Sequence, residues 1–337
     1  MKKWQIQQPD EAAAKNIQAN SDLSLFCAEL LTVRGYRTIE ETASQFSCPA
    51  LSDPFLIRDM QAAADCLNAA IDSGEKICVY GDYDCDGVMA TVILYSYLME
   101  LGADVVYYIP ERSEGYGMNL NALETLKAQG VSLIVTVDNG IAALEEADWI
   151  AEQGMRLVIT DHHQPYSTLP AAVAVVDPHR VDCPSPFSLV CGAGLALKLV
   201  AAMDGGDMTF ALEQFGDLAA IATVADVVSL TGENRFLVQQ GLRLLANTER
   251  PGLLALLELT GMQGKTLTAT NLAFTLAPRI NAAGRFGSPK LAVSLLLAET
   301  MGEAMPLAKQ LEQCNRQRKE AEADACVLDG IVRVEQL

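Results

Sequence analysis

Apolar residues along this chain gather into two kinds of run. Short runs dense in β-branched residues occupy residues 77–80, 133–137, 157–159 and 172–176, with little polar alternation inside them. A strand that buries one face alternates apolar and polar positions, whereas a near-continuous apolar run marks a strand covered on both faces. Between these runs lie longer stretches with helical spacing, at residues 88–101, 121–129 and 141–153. Strand and helix in this alternation predict an α/β fold with a mainly parallel sheet flanked by helices. Ahead of it, residues 21–33 and 38–45 read as helices of a mainly helical lead. After it, residues 237–246 and 253–259 read as helices of an extension. Residues 304–334 read as one long, charge-rich helix with Pro306 tolerable in its first turn. Its apolar positions Leu307, Leu311, Cys314, Ala321, Ala325 and Leu328 suggest a single packed stripe.

Each short apolar run ends in acidic residues. The first leads into Gly81-Asp82-Tyr83-Asp84-Cys85-Asp86-Gly87 and the second into Asp138-Asn139-Gly140; the third ends at Asp161-His162-His163 and the fourth at Asp177-Pro178-His179-Arg180. In an open parallel sheet, ligands bind beyond the carboxyl ends of the strands, so all four clusters fall on one rim. The chain has only three histidines, and two of them stand together in the third cluster. A carboxylate with two imidazoles at a strand end is a metal-site or phosphate-site layout, although adjacent loop histidines are also often just solvated polar residues.

Asp82, Asp84 and Asp86 are close enough to repel one another, which raises their pKa values unless a cation neutralises them. Hard divalent ions such as Mg²⁺ and Mn²⁺ favour oxygen ligands of this kind. A calcium-binding EF-hand loop is the alternative, but its twelfth position, counted from Asp82, is Ile93 where a glutamate is required. A strand-like run also precedes the loop, where that motif needs a helix.

Composition changes the picture in two places. The nine cysteines are scattered with no Cys-x-x-Cys pair, which points to reduced thiols and a cytoplasmic setting. No apolar run is long enough to span a membrane and no leader pattern is visible, so no membrane association is expected. The net charge of −19 weighs against unaided binding to nucleic acid, because phosphate neutralisation normally supplies most of that affinity. Bound divalent cations would offset part of the acidic rim, and Arg112, Arg279 and Arg285 can still line one groove.

The clusters Gly81-Asp82-Tyr83-Asp84-Cys85-Asp86-Gly87, Val137-Asp138-Asn139-Gly140-Ile141 and Asp161-His162-His163 resemble motifs I to III of the DHH phosphoesterase superfamily. Further strings narrow the resemblance to the RecJ family of single-strand-specific 5′-to-3′ exonucleases. They are Pro110-Glu111-Arg112, Gly115-Tyr116-Gly117, Cys191-Gly192-Ala193-Gly194, the stretch from Ala222 to Val228, Gly232-Glu233-Asn234-Arg235, and Ala277-Pro278-Arg279-Ile280-Asn281-Ala282-Ala283-Gly284-Arg285. In order, they run from about residue 28 to residue 326. That family continues into a DHHA1 domain and an oligonucleotide-binding barrel. The resemblance therefore implies a chain that holds the metal-bearing half and stops inside the connecting helix. The implied division is a lead at 1–55, the DHH domain at 56–230, a helical subdomain at 231–301 and the connecting helix at 302–337.

The resemblance also implies chemistry: two-metal hydrolysis of phosphodiester bonds with Mn²⁺ or Mg²⁺, and single-stranded DNA as substrate in repair and recombination. It further implies single-strand-binding protein and a helicase as candidate partners. By the family pattern Asp84 and Asp86 supply ligands to the two ions, Asp138 bridges them, and His162 and Asp226 complete the set. Asp82 is a further ligand or orients one, and His163 faces the phosphate as donor or general acid. Arg279, Asn281 and Arg285 resemble the segment that holds the nucleic-acid backbone, with Arg112 in a similar role. Alternatives remain at several positions. Arg279 and Arg285 can instead pair with the acidic surplus, Asp226 can cap a helix, and His179 fits a structural hydrogen-bonding role. A phosphodiesterase for short oligoribonucleotides or cyclic dinucleotides is a second reading, but those enzymes lack the segment 279–285. A catalytically inactive binding module is a third.

Overall fold

The computed structural model describes residues 5–46 and 50–335, with the side chains of residues 44–46 and 324–335 outside the description. Its strands are β1 (Ile77–Tyr80), β2 (Val105–Tyr108), β3 (Leu133–Val137), β4 (Arg156–Thr160) and β5 (Ala174–Val176). They form a five-stranded sheet in the order β2-β1-β3-β4-β5. Every neighbouring pair is parallel, with Tyr80 beside Thr136 and Val137 beside Thr160 in register. From β1 the chain first moves outward to β2 and then returns to the other side of β1 to lay down β3. The topological switch point therefore lies between the carboxyl ends of β1 and β3, which is where such sheets open a ligand crevice.

Successive strand residues point to opposite faces, and both faces are packed. Cys78, Tyr80, Ile134, Leu157 and Ile159 share an apolar cluster with helices α6 (Leu120–Ala128) and α7 (Leu144–Glu152). Ile77, Val79, Val135, Val137 and Val158 belong to the larger core on the other face. That core is built by α4 (Met60–Asp72), α5 (Cys85–Glu100), α8 (Gly192–Met203) and α9 (Met208–Ala225). Two-sided burial explains the nearly unbroken apolar runs. The sequence pattern does not single out β2, an edge strand of four residues whose side chains beyond Val105 are only half-buried. Helix α7 starts at Leu144 rather than at residue 141, because the preceding residues form a turn closed by the Ala143 N–H on the Gly140 carbonyl at 3.0 Å.

Three short helices lead the chain: α1 (Glu11–Ala19), α2 (Leu25–Val33) and α3 (Ile39–Phe46). Ala14, Ile17 and Ala28 form a small core of their own there. Beyond α9 come α10 (Gly232–Ala246), α11 (Pro251–Leu259), the single turn α12 (Ala269–Asn271), α13 (Ala277–Phe286), α14 (Pro289–Leu296) and α15 (Met301–Glu335). A π-helical stretch, Leu272–Leu276, joins α12 to α13. Pro278 follows it; lacking an N–H and clashing with the preceding turn, proline favours such local widening.

Helix α15 begins three residues before the expected start, so Pro306 falls in its second turn. The missing N–H leaves the Gly302 carbonyl without its helical partner, but both residues are exposed and water can serve that oxygen. Leu311 and Cys314 are buried and Leu307 half-buried, whereas Ala321 is exposed, so the stripe does not run on as one packed face. Ala325 and Leu328 lie outside the described side chains. Among the described residues no helix is long and apolar enough to cross a membrane.

Candidate metal centre

The loop after β1 turns directly into α5, and each of its aspartates is held differently. Asp84 is the N-cap of α5, its Oδ1 accepting from the Gly87 N–H at 3.0 Å. Asp86, one residue into the helix and fully buried, accepts from the Gly192 N–H at 2.7 Å and the Ala193 N–H at 2.8 Å. These donors open α8, whose amino terminus favours negative charge. Asp82 packs beneath Gly87, where a Cβ would lie 2.6 Å from the Asp82 carbonyl oxygen.

Asp138 ends β3 in the left-handed region at φ 63, a costly backbone state for a residue with a side chain. The turn is closed by Asn139, whose amide donates to the carbonyls of Tyr80 and Val137 and so ties the ends of β1 and β3 together. Gly192 also belongs to this fit, since a Cβ on it would come within 2.5 Å of Asp138 Cβ.

His162 brings the clusters to one point. Its Nε2 stands 3.0 Å from Asp138 Oδ1, 3.6 Å from Asp86 Oδ2 and 3.8 Å from Asp226 Oδ2. None of these contacts has hydrogen-bond geometry, and Asp82 Oδ1, Asp138 Oδ1 and His162 Nε2 are all buried without a partner. Three sets of ligand atoms each lie within 4.8 Å of one another among the described residues: Asp86 with His162 and Asp226, Asp82 with Asp84 and Asp138, and Asp138 with His162 and His163. Asp226 is the C-cap residue of α9, and its carboxylate faces this cluster. Val227 after it sits at φ 62, an outlying conformation for a β-branched residue.

The electrostatics follow from crowding. Burial, then the Asp84 charge, push Asp82 up to about 7. Burial, then Asp84 and Asp226, push Asp86 up to about 7, and Asp226 rises to about 6 for similar reasons. Asp138 is driven well above the usual carboxylate range by burial and the Asp86 charge. Burial, then its neighbour His163, hold His162 down at about 4, so that its ring is neutral and able to ligate. A set of buried, unpartnered oxygens around one neutral imidazole fits hard divalent ions and would be strongly self-repelling without them.

His163 borders this cluster but is committed to Asp161. Its Nδ1 lies 2.7 Å from Asp161 Oδ1, and this bond raises the ring to about 9, leaving it cationic at neutral pH and about half exposed. Asp161, absent from the expected site residues, is the hub of this corner. It also accepts from the Ile141, His162 and His163 N–H groups, and its own pKa is lowered: burial alone would raise it, and the His163 bond and charge outweigh that. The sequence signal was its place in the same triplet. Tyr116 was missed as well; its hydroxyl lies 3.5 Å from the Asp138 carbonyl and 3.4 Å from the His163 ring. A cleft of about 390 Å³, lined by Tyr116, Ile141, Glu146, His163, Gln164 and Tyr166 among others, opens beside it.

Besides His163, the four residues expected at the phosphate divide. Arg112 is exposed, with its guanidinium 5.7 Å from the centre of the Tyr83 ring, and Arg285 is exposed with no ion pair among the described residues. Arg279 differs from expectation: its Nε is 2.5 Å from Glu312 Oε2, its Nη1 donates to the Thr275 carbonyl, and its side chain is 12% exposed. Pairing with the acidic surplus removes it from the set of free cations. Asn281 likewise spends its Oδ1 on the Cys85 N–H, at 2.7 Å. His179 and Asp177 stand beyond β5 as a separate pair, Nδ1 to Oδ1 3.6 Å.

Comparison with known proteins agrees with this fold. Residues 76–223 match the family model described as DHH family, N-terminal domain. The single-stranded-DNA-specific exonuclease RecJ of Bacillus subtilis is 40% identical over 320 residues, covering 94% of this chain and 40% of that protein. RecJ of Escherichia coli K12 is 35% identical over 334 residues, covering 95% of this chain and 58% of that protein. Among solved structures, a RecJ exonuclease bound to manganese superposes with TM-score 0.73 at 37% identity, over 80% of this chain and 68% of that one. The chain thus spans about half the length of the curated relatives it matches.

Proposed function

The chain belongs to the RecJ family of DHH-domain proteins, and on that premise we propose that it carries the metal-dependent half of a single-stranded-DNA exonuclease. The observation that supports this most directly is the unpartnered His162 Nε2 facing the carboxylates of Asp86, Asp138 and Asp226 at the switch point of the sheet. In this reading Asp82, Asp84, Asp86, Asp138, His162 and Asp226 hold two Mn²⁺ or Mg²⁺ ions. Solved RecJ structures contain Mn²⁺ and Mg²⁺. Bound ions in such a pair activate water and neutralise charge on the phosphoryl oxygens.

The protein's own groups supply the rest. Asp138, which belongs to two of the three sets of ligand atoms, would hold metal from both. His163, cationic and locked by Asp161, donates a proton toward the scissile phosphate or the leaving oxygen. Tyr116 fixes the open side of His163, and Arg112 and Arg285 are the exposed cations left to meet the strand. The test is release of nucleotides from labelled single-stranded DNA with Mn²⁺, beside a short oligoribonucleotide and a cyclic dinucleotide. The expected outcome is metal-dependent loss of DNA ends that EDTA stops and Asp138→Asn abolishes. Hydrolysis of only the small substrates would replace this reading with a small-substrate phosphodiesterase, and binding of DNA without hydrolysis would replace it with a binding module.

A further inference from the structure

Helix α13 is the element whose observed contacts depart furthest from the roles implied by its sequence. We infer that it is a brace for the metal-binding loop, with Asn281 as the positioning residue for Asp84 and Asp86. This inference rests on the reading of those two aspartates as metal ligands.

Cys85, which separates them, is the first residue of α5, so its N–H is one of the donors that the helix itself cannot satisfy. The Asp84 side chain is committed to Gly87 and the Asp86 carboxylate to Gly192 and Ala193. The Cys85 N–H is bonded by Asn281 Oδ1, a residue 196 positions away in sequence, at 2.7 Å. One turn along α13, Gly284 meets the same loop: a Cβ there would stand 2.7 Å from the Tyr83 carbonyl oxygen. Two contacts from one helix face, one polar and one steric, therefore fix the backbone on either side of Asp84.

The opposite face of α13 is anchored. At about 100° per residue, Arg279 points roughly 200° away from Asn281. There it bonds Glu312 of α15 and the Thr275 carbonyl, both at 2.5 Å. Cys314 Sγ adds a 3.6 Å contact to the Phe286 carbonyl at the end of α13. The loop carrying Asp84 and Asp86 is thus clamped, through α13, to the long helix α15. Residue types in this segment follow the brace: an amide for a lone N–H, a glycine for close approach, and an arginine for the far-side anchor. Arg285, about 40° from Asn281 around the helix, is the member left free for substrate.

The experiment is calorimetric titration of the metal-free full chain with Mn²⁺, read beside its melting temperature in EDTA. Asn281→Ala should weaken Mn²⁺ binding about 10- to 100-fold, as loss of groups that orient ligands commonly does. Asn281→Asp keeps an oxygen acceptor at a helix amino terminus that favours negative charge, and should restore most of the affinity. Should Asn281→Ala fail to fold, Gly284→Ala is read in the same way, since its Cβ must displace the Tyr83 carbonyl. An Asn281→Ala chain with a lower melting temperature but unchanged Mn²⁺ affinity overturns the brace and leaves a merely structural contact. Unchanged Mn²⁺ affinity with weaker, less salt-dependent DNA binding returns Asn281 to the phosphate. A wild type that binds no Mn²⁺ brings down the metal reading itself, and this inference with it.

Discussion

At the scale of single residues, the centre is a set of charges that the fold keeps close in spite of their repulsion. Asp82 and Asp86 rise from 3.8 to about 7, and Asp226 from 3.8 to about 6. A raised folded-state pKa means that the folded chain holds protons the unfolded chain releases, so stability falls as pH climbs through that interval. His163, raised from 6.5 to about 9, acts in the same sense over a higher window, because its charged form is the stabilised one. His162, lowered from 6.5 to about 4, opposes them between those values, and the lowered Asp161 acts only below the ordinary carboxylate value of 3.8. In EDTA the protein should therefore melt at lower temperature at pH 8 than at pH 5, and the gain from Mn²⁺ should be larger at pH 8. Equal melting at both pH values without metal would show that the carboxylates are not crowded as described. Asp138→Asn is the single-residue probe. Asparagine tolerates φ near 63 and removes one charge, so the metal-free chain should gain on the order of 1 kcal/mol while losing most of its Mn²⁺-dependent rise in melting temperature.

At the scale of elements, the site is assembled from helix ends and strand ends, and its precision depends on close approach. Gly192 opens α8 and Gly284 sits in α13, each at a point where a methyl group would collide with Asp138 or with the Tyr83 carbonyl. The Arg279–Glu312 pair joins α13 to α15 with little exposure on the arginine. Removing the carboxylate would strand a mostly buried cation. Glu312→Ala is accordingly expected to cost about 1–3 kcal/mol in urea unfolding. A cost under about 0.5 kcal/mol would instead mark an ordinary solvent-screened pair. In either case Arg279 is paired within the fold, the alternative its sequence context left open, and its partner lies on a helix 33 residues away.

At the scale of the whole molecule, the charge of −19 sets the terms for meeting DNA. Much of that charge is distant from the rim, but six acidic or imidazole groups converge there, so substrate approach should depend on metal occupancy. Mn²⁺ should raise the melting temperature progressively with concentration, by mass action on the folded state alone. The exposed Arg285 then becomes the testable contact. Arg285→Ala should weaken binding of single-stranded DNA and lower the salt slope of the logarithm of affinity by about 0.7, one phosphate contact's worth. An unchanged slope would place the strand on another path.

Much of this was legible without coordinates, and the boundary between what was and what was not has a physical cause. Unbroken apolar runs at β1, β3 and β4 required two covered faces, and each run ended in acidic residues, so a parallel sheet with a polar rim followed from pattern alone. The rim aspartates and His162 stood out because strand ends deliver neighbours in sequence to neighbouring places in space, whereas their roles as ligands, and Asp226 at the end of α9, came only from the family resemblance. Edge strand β2 escaped because four half-buried residues carry too little pattern. Asp161 was passed over because its work lies in hydrogen bonds to Ile141 and His163, which no spacing announces. Asn281 and Arg279 resembled phosphate ligands by local string, yet one bonds Cys85 and the other Glu312. Local sequence determined which groups could do chemistry. Only the tertiary packing of α13 between the loop and α15 decided which of them remain free to do it, because a hydrogen-bonding side chain is committed to whatever partner folding brings within about 3 Å.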